Sequence, residues 1–157
     1  MGKEIERKFL VMSQQFKEQA VKATRIRQGY LSSEPKRVVR VRVTSDKGFI
    51  TIKGATSDSG LSRYEWEKEI PVEEARELML LCESGVIDKT RYLVPVGECT
   101  FEVDVFHGDN EGLTVAELEL PAEETPFPRP VWLGREVTGD TRYYNAMLRI
   151  HPFKSWR

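Results

Sequence analysis

This sequence is short of cysteine, histidine, long apolar runs and net charge, and each shortage excludes something. Its two cysteines, Cys82 and Cys99, form neither a CxxC pair nor a metal-ligand spacing, so neither a disulfide framework nor a thiolate zinc site is expected. Both read as small packed hydrophobes in a reducing compartment. The two histidines, His107 and His151, lie too far apart in sequence to suggest a shared metal. No stretch approaches the roughly 20 apolar residues that cross a bilayer as a helix. The charged run from Lys3 to Lys8 has no apolar segment after it and is not a signal peptide. A soluble, cytoplasmic chain is expected. With a formal net charge of −1 there is no global attraction to nucleic acid or to an anionic membrane, so neither is expected as a partner. Any anion site must come from local arrangement.

What is present is charge at a period of two. The 157 residues suit one domain, 1–157, with no internal repeat, linker or low-complexity segment. Read as a strand, Glu4-Ile5-Glu6-Arg7-Lys8-Phe9-Leu10 places Glu4, Glu6 and Lys8 on one face and Ile5, Arg7 and Phe9 on the other. For one isolated strand an exposed charged face would explain this. The same alternation, however, recurs in segments 24–32, 37–44, 49–54, 61–70, 87–95, 100–106 and 115–120. Ser45-Asp46-Lys47-Gly48 is a turn signal that makes a hairpin of two of them. Segment 72–81, behind Pro71 and with acids in its first turn, has the pattern of an amphipathic helix. After Pro126, Pro128 and Pro130, segments 131–137 and 141–150 read as short helices.

The charges of these strands are segregated by sign. Glu4, Glu6, Glu65, Glu67, Glu102, Asp104, Glu117 and Glu119 stand in acidic pairs; Lys8, Arg40, Arg42, Lys53, Arg63, Lys89 and Arg91 supply the cations. A sheet face built for stability would mix signs across strands, because like neighbours repel. Segregation needs outside partners: divalent cations for the acids and a polyanion for the bases. The opposite parity is largely apolar, including Val39, Val41 and Val43, Ile50 and Ile52, Tyr64 and Trp66, and Phe101, Val103 and Val105. Eight antiparallel strands can close into a barrel. The expected fold is therefore mainly β (α+β), an eight-stranded antiparallel closed β-barrel with a charged tunnel inside and a few flanking helices. A transmembrane barrel would also alternate, but the lack of an export signal, the helical segments, and Arg7 and Lys68 on the other face speak against one. Clustered carboxylates suit Mg²⁺ or Mn²⁺, and arginine forks suit phosphate oxygens. Together they describe a site for a linear chain of phosphates, with equipment for phosphoryl transfer.

These residues carry a family resemblance. Glu4-x-Glu6-x-Lys8 resembles the ExExK signature of the CYTH superfamily, the triphosphate tunnel metalloenzymes. Gln28-Gly29-Tyr30-Leu31, Arg40-x-Arg42, Thr51-Ile52-Lys53, Arg63-x-Glu65-x-Glu67, Lys89-Thr90-Arg91-Tyr92, Glu102-x-Asp104-x-Phe106, Glu117-x-Glu119 and Asp140-x-Arg142-Tyr143-x-Asn145 resemble further motifs in the family's order. The resemblance implies that Glu4, Glu6, Glu117 and Glu119, helped by Glu65 and Asp104, hold the divalent metal. It implies that Lys8, Arg40, Arg42, Lys53, Lys89 and Arg91 bind phosphates. Lys8 and Tyr30 would position or deprotonate the attacking water; Glu6 or a metal-bound water is the alternative, since a tyrosine ionises near pH ~10 unless a cation lowers it. The length and the Glu4–Leu10 start resemble the short bacterial inorganic triphosphatases, so hydrolysis of tripolyphosphate is expected. Class IV adenylate cyclase, thiamine triphosphatase and a non-catalytic polyphosphate-binding module are the other readings. A homodimer is compatible with the family's habits.

Overall fold

The computed structural model describes residues 5–56 and 63–156. Hydrogen bonding joins nine strands: β1 (Ile5–Val11), β2 (Lys22–Ser32), β3 (Arg37–Thr44), β4 (Lys47–Thr56), β5 (Arg63–Ile70), β6 (Ile87–Val96), β7 (Cys99–Phe106), β8 (Thr114–Leu120) and β9 (Leu133–Glu136). The order is β5-β4-β3-β2-β6-β7-β8-β1-β9, and every described register is antiparallel. Two expectations are corrected. There are nine strands rather than eight, and the order is open among the described residues, with β5 and β9 at its ends.

The ninth strand arises where a short helix was expected. Phe9 pairs with Glu136 and Val11 with Leu133, while the Val137 amide donates to the Lys8 carbonyl at 2.8 Å. Gly134 permits this approach: a Cβ there would lie 3.0 Å from the Leu10 carbonyl oxygen. The free edge of β1 thus draws the tail into the sheet, overriding a weak local helix signal. The 3₁₀ turn Thr141–Tyr143 and helix Asn145–Leu148 occupy the segment read as helical. A short helix, Phe16–Gln19, had no sequence expectation; four residues carry too little periodicity to reveal one.

The chain forms two compact units. One comprises the residues up to Thr24 and from Lys89 onward, the other Arg25–Asp88. In the first, Phe9, Phe16, Val94, Phe101, Val103, Ala116, Leu118 and Trp132 make a core whose members are at most 2% exposed. Trp132 meets Phe16 and Phe101 edge to face, and its indole N–H donates to Gln19 Oε1 at 3.1 Å. In the second unit, helix Val72–Met79 lays Ala75 and Met79 on Val41 and Val43. Its acids Glu73, Glu74 and Glu77 face solvent, as the amphipathic pattern requires. β3 and β4 form the expected hairpin, with Thr44 opposite Lys47.

Strand β5 departs from expectation. Tyr64 is 66% and Trp66 41% exposed, although both belong to the parity expected to be covered. The strand ends the hydrogen-bonded order, and the helix of this unit packs on β3 and β4 instead. With the helix set over β3 and β4, the aromatics of this end strand stay exposed among the described residues.

Candidate functional site

In the first unit, β6, β7, β8 and β1 bring the charged parity into register. Lys8 lies opposite Glu117, Glu6 opposite Glu119, Glu117 opposite Glu102, and Asp104 opposite Arg91. Residues directly opposed in an antiparallel pair share a face, so the alternation in sequence becomes a block of side chains in space. Glu6 and Glu117 come within hydrogen-bonding range of each other. Partial burial raises the Glu6 carboxyl above its ordinary value, and the neighbouring charges of Glu117 and Glu119 add to this while Lys8 opposes it. Two such carboxylates are stable together only with a proton or a cation between them. Lys8 supplies part of that charge, its Nζ 3.5 Å from Glu117 Oε1, and it also lies over the Tyr144 ring at 4.7 Å. A cavity of about 620 Å³ adjoins this acidic block, with Glu98, Glu102, Glu117 and Glu119 in its lining.

Beside the acids lies a buried ionic group. Asp104 accepts from Lys89 Nζ at 2.8 Å and from Arg91 Nε and Nη2 at 2.8 and 2.9 Å. Burial alone would raise the Asp104 carboxyl, but the hydrogen bonds from Arg91 and the charge of Lys89 outweigh it and leave it low. Burial pushes the Lys89 ammonium below its usual value, with Asp104 opposing. Arg91 also reaches Glu102 through Nη1 at 3.2 Å.

In the second unit, β2 to β5 carry the remaining residues. Tyr30 lies opposite Arg40 and Gln28 opposite Arg42; Arg40 lies opposite Thr51, and Lys53 opposite Glu65. Arg40 Nη2 is 3.9 Å from Glu67, which also accepts from Thr51 Oγ1 at 2.6 Å. Lys53 Nζ is 3.9 Å from Glu65. These are loose pairs at a largely exposed strand, worth at most about 1 kcal/mol each. Buried Arg40 Nε has no hydrogen-bond partner among the described residues, an arrangement that invites an anion.

Glu4 lies outside the described residues. Among those described, no group of three or more Asp, Glu, His or Cys side chains has metal-holding geometry. The crowded pair Glu6–Glu117 is still an all-oxygen donor set of the kind hard divalent ions take. Sequence reasoning counted Glu102 among the acids without giving it a role, and it passed over Tyr144 altogether. The period-two position of Glu102 beside Asp104 was the available signal for the first. For Tyr144 nothing in the strand pattern could have served, because it comes from the tail.

A sheet whose cations and carboxylates share a face, with Nε of Arg40 buried and without a hydrogen-bond partner among the described residues, is a protein equipped for a polyanion. The comparisons place it more closely: the CYTH domain family matches residues 2–144, and the chain belongs to that family. An inorganic triphosphatase of Acetivibrio thermocellus is 50% identical over 158 residues, covering 100% of this chain and 99% of that one. An inorganic triphosphatase of Nitrosomonas europaea is 39% identical over 152 residues, covering 94% and 97%. The crystal structure of an inorganic triphosphatase superposes with a TM-score of 0.79 at 34% identity, covering 96% of each chain.

Proposed function

We propose that this chain is a hydrolase that cleaves inorganic tripolyphosphate to pyrophosphate and phosphate with the help of Mg²⁺ or Mn²⁺. The observation that carries the reading is the 50% identity, over the full length of both chains, to a protein named inorganic triphosphatase. The buried Nε of Arg40 and the crowded Glu6–Glu117 pair are its physical support.

In this reading Glu6, Glu117 and Glu119, with Glu4, hold the divalent ion, and Glu65 and Asp104 were the other candidates from the sequence. The ion supplies charge neutralisation on phosphate oxygens. Arg40, Arg42, Lys53 and Arg91 bind and orient the phosphates, the arginines as rigid two-pronged donors and Lys53 as a point charge. Water attacks the terminal phosphorus, the bridging P–O bond breaks, and its electron pair leaves on the pyrophosphate oxygen. The proton of the water passes to a base. Lys8, set against Glu117, is placed to orient the water by donation. The Glu6 carboxylate and a Tyr30 phenolate are the two candidate acceptors. The reading also takes the whole chain as one domain, acting in the cytoplasm. Among the described residues no helix is long and apolar enough to cross a membrane.

The test is a parallel assay of the purified protein with tripolyphosphate, ATP and thiamine triphosphate, each with Mg²⁺, with Mn²⁺ and with chelator. Metal-dependent phosphate release from tripolyphosphate, with the other two slow, is the expected result. Cyclic AMP from ATP, or faster release from thiamine triphosphate, would overturn the assignment.

A further inference from the structure

The tail of the chain meets Lys8 at three points. The Lys8 amide donates to Thr138 Oγ1 at 2.9 Å, and its carbonyl accepts from the Val137 amide at 2.8 Å. Its ammonium lies over the Tyr144 ring, 4.7 Å from the centre. Glu117 Oε1, at 3.5 Å, stands beyond ordinary hydrogen-bond distance, so that acid alone does not fix the ammonium. The two adjacent tyrosines of the tail are used differently. Tyr143 is buried, meets Trp156 edge to face at 5.2 Å, and has the Arg142 guanidinium 5.5 Å from its centre. That cluster packs the 3₁₀ turn Thr141–Tyr143, where Asp140 accepts from the Arg142 amide. Tyr144 follows with an extended backbone (φ −75°, ψ 140°) before helix Asn145–Leu148. It stays 39% exposed, and its ring contact is with Lys8.

We propose that Tyr144 is a positioning residue for Lys8, its ring face holding the ammonium in the orientation in which Lys8 meets the attacking water. The proposal takes its reaction from the triphosphatase reading. A lysine ends in a compact charge on a flexible four-carbon stem, and fixing that stem costs rotamer entropy. A ring face attracts the ammonium through its quadrupole, most strongly where water is partly withdrawn; the Lys8 side chain is 13% exposed. Unlike a second carboxylate, the ring neither neutralises the ammonium nor takes a full hydrogen bond from it. The charge and donors of Lys8 therefore stay available to water and phosphate oxygens. Meeting the entropic cost in the resting protein lowers the barrier of the step that uses Lys8.

The experiment compares wild type with Tyr144→Phe, which keeps a ring, and Tyr144→Leu, which keeps only apolar bulk, each checked for native circular dichroism. KM and kcat for tripolyphosphate with Mg²⁺ are measured, and the Lys8 ε-methylene resonance is followed by NMR. In wild type and Tyr144→Phe that resonance should be shifted upfield by the ring current, and in Tyr144→Leu the shift should vanish. Tyr144→Leu is expected to lower kcat about five- to thirtyfold with little change in KM, because the lost interaction serves the transition state. Tyr144→Phe should restore kcat to near the wild-type value. Equal losses in both variants would assign the effect to the hydroxyl and overturn the proposal. So would a wild-type rate in Tyr144→Leu, or a rise in KM at constant kcat, which would make Tyr144 part of the substrate-binding surface. If Tyr144→Leu does not fold, wild type and Tyr144→Phe decide: no upfield shift, or a large loss of kcat in Tyr144→Phe, overturns it. Wild-type protein that shows the shift without cleaving tripolyphosphate would refute the triphosphatase reading; protein that cleaves it without the shift would refute the role of Tyr144 alone.

Discussion

Single side chains in this protein do unlike work with like chemistry, and burial decides which. Arg7 and Arg91 are both forked onto a carboxylate. Arg7 holds Glu136 at the edge of the sheet and stacks over Phe127 at 4.7 Å, which ties the tail to β1. The Arg7 hydrogen bond holds the Glu136 carboxyl at about 2 against an ordinary 4.5. A carboxylate depressed on folding adds stability that is complete above its unfolded value and lost as pH falls towards its folded one. Because Glu136 is partly exposed, about 1 kcal/mol is a realistic size for the pair. Wild type should therefore lose about that much stability between pH 4.5 and 2 relative to Glu136→Gln, with the difference read from urea midpoints across the range. The sequence reading left Arg7 without a functional claim, which its bond to Glu136 explains. It could not see Glu136, because the partner lies 129 residues away in a segment read as helix.

At the level of elements, period-two alternation was a sound guide to strands and a poorer guide to what covers them. Every strand of the alternating set is present, because register and charge both demand it. Phe101 and Val103 are buried and Glu102 and Asp104 share the face opposite to theirs, as the pattern requires. Tyr64 and Trp66 follow the same rule yet remain exposed, since alternation says which side chains share a face and nothing about a neighbour. Gly48 is a second instance. In the sequence it reads as a turn residue, but its structural role is contact: a Cβ there would stand 2.5 Å from Ala75 Cβ and 3.2 Å from the Ile70 carbonyl oxygen. Its missing side chain is what lets helix Val72–Met79 settle on the hairpin. Gly48→Ala should therefore destabilise the protein by about 1–3 kcal/mol, the usual cost of overpacking, seen as a lower thermal midpoint. A neutral outcome would show that the helix can slide outward freely.

For the molecule as a whole, the loose pairs of Arg40 with Glu67 and Lys53 with Glu65, and the crowded Glu6–Glu117 pair, leave charge that a bound ligand can complement. A ligand that binds only the folded state raises its stability by mass action, by about 2.7 kcal/mol at a hundred times its dissociation constant. For a chain of this length that is about 5–10 °C in melting temperature. Tripolyphosphate with Mg²⁺ or Mn²⁺ should produce such a rise in differential scanning fluorimetry, and chelator should remove the metal-dependent part. Equal melting temperatures under all conditions would mean that the charges are already satisfied among themselves. Much of the charged set was legible in advance because it is local, i to i+2 along single strands. The open strand order, the ninth strand and the buried grip of Asp104 on Lys89 and Arg91 were not, because each depends on which strands become neighbours.

The division of the chain into Arg25–Asp88 and its two flanks has a consequence for synthesis. The inner unit is continuous in sequence and closes its contacts over short separations, the condition for rapid folding. β1 emerges first but pairs with β8 and β9, so Phe9 must wait for Glu136. At roughly 5–20 residues per second that wait lasts on the order of 6–25 s. During it, β1, with Glu6, Arg7 and Lys8, is held apart from the partners that bury Phe9. β1 precedes the strands it pairs with by most of the chain, and its placement waits for them.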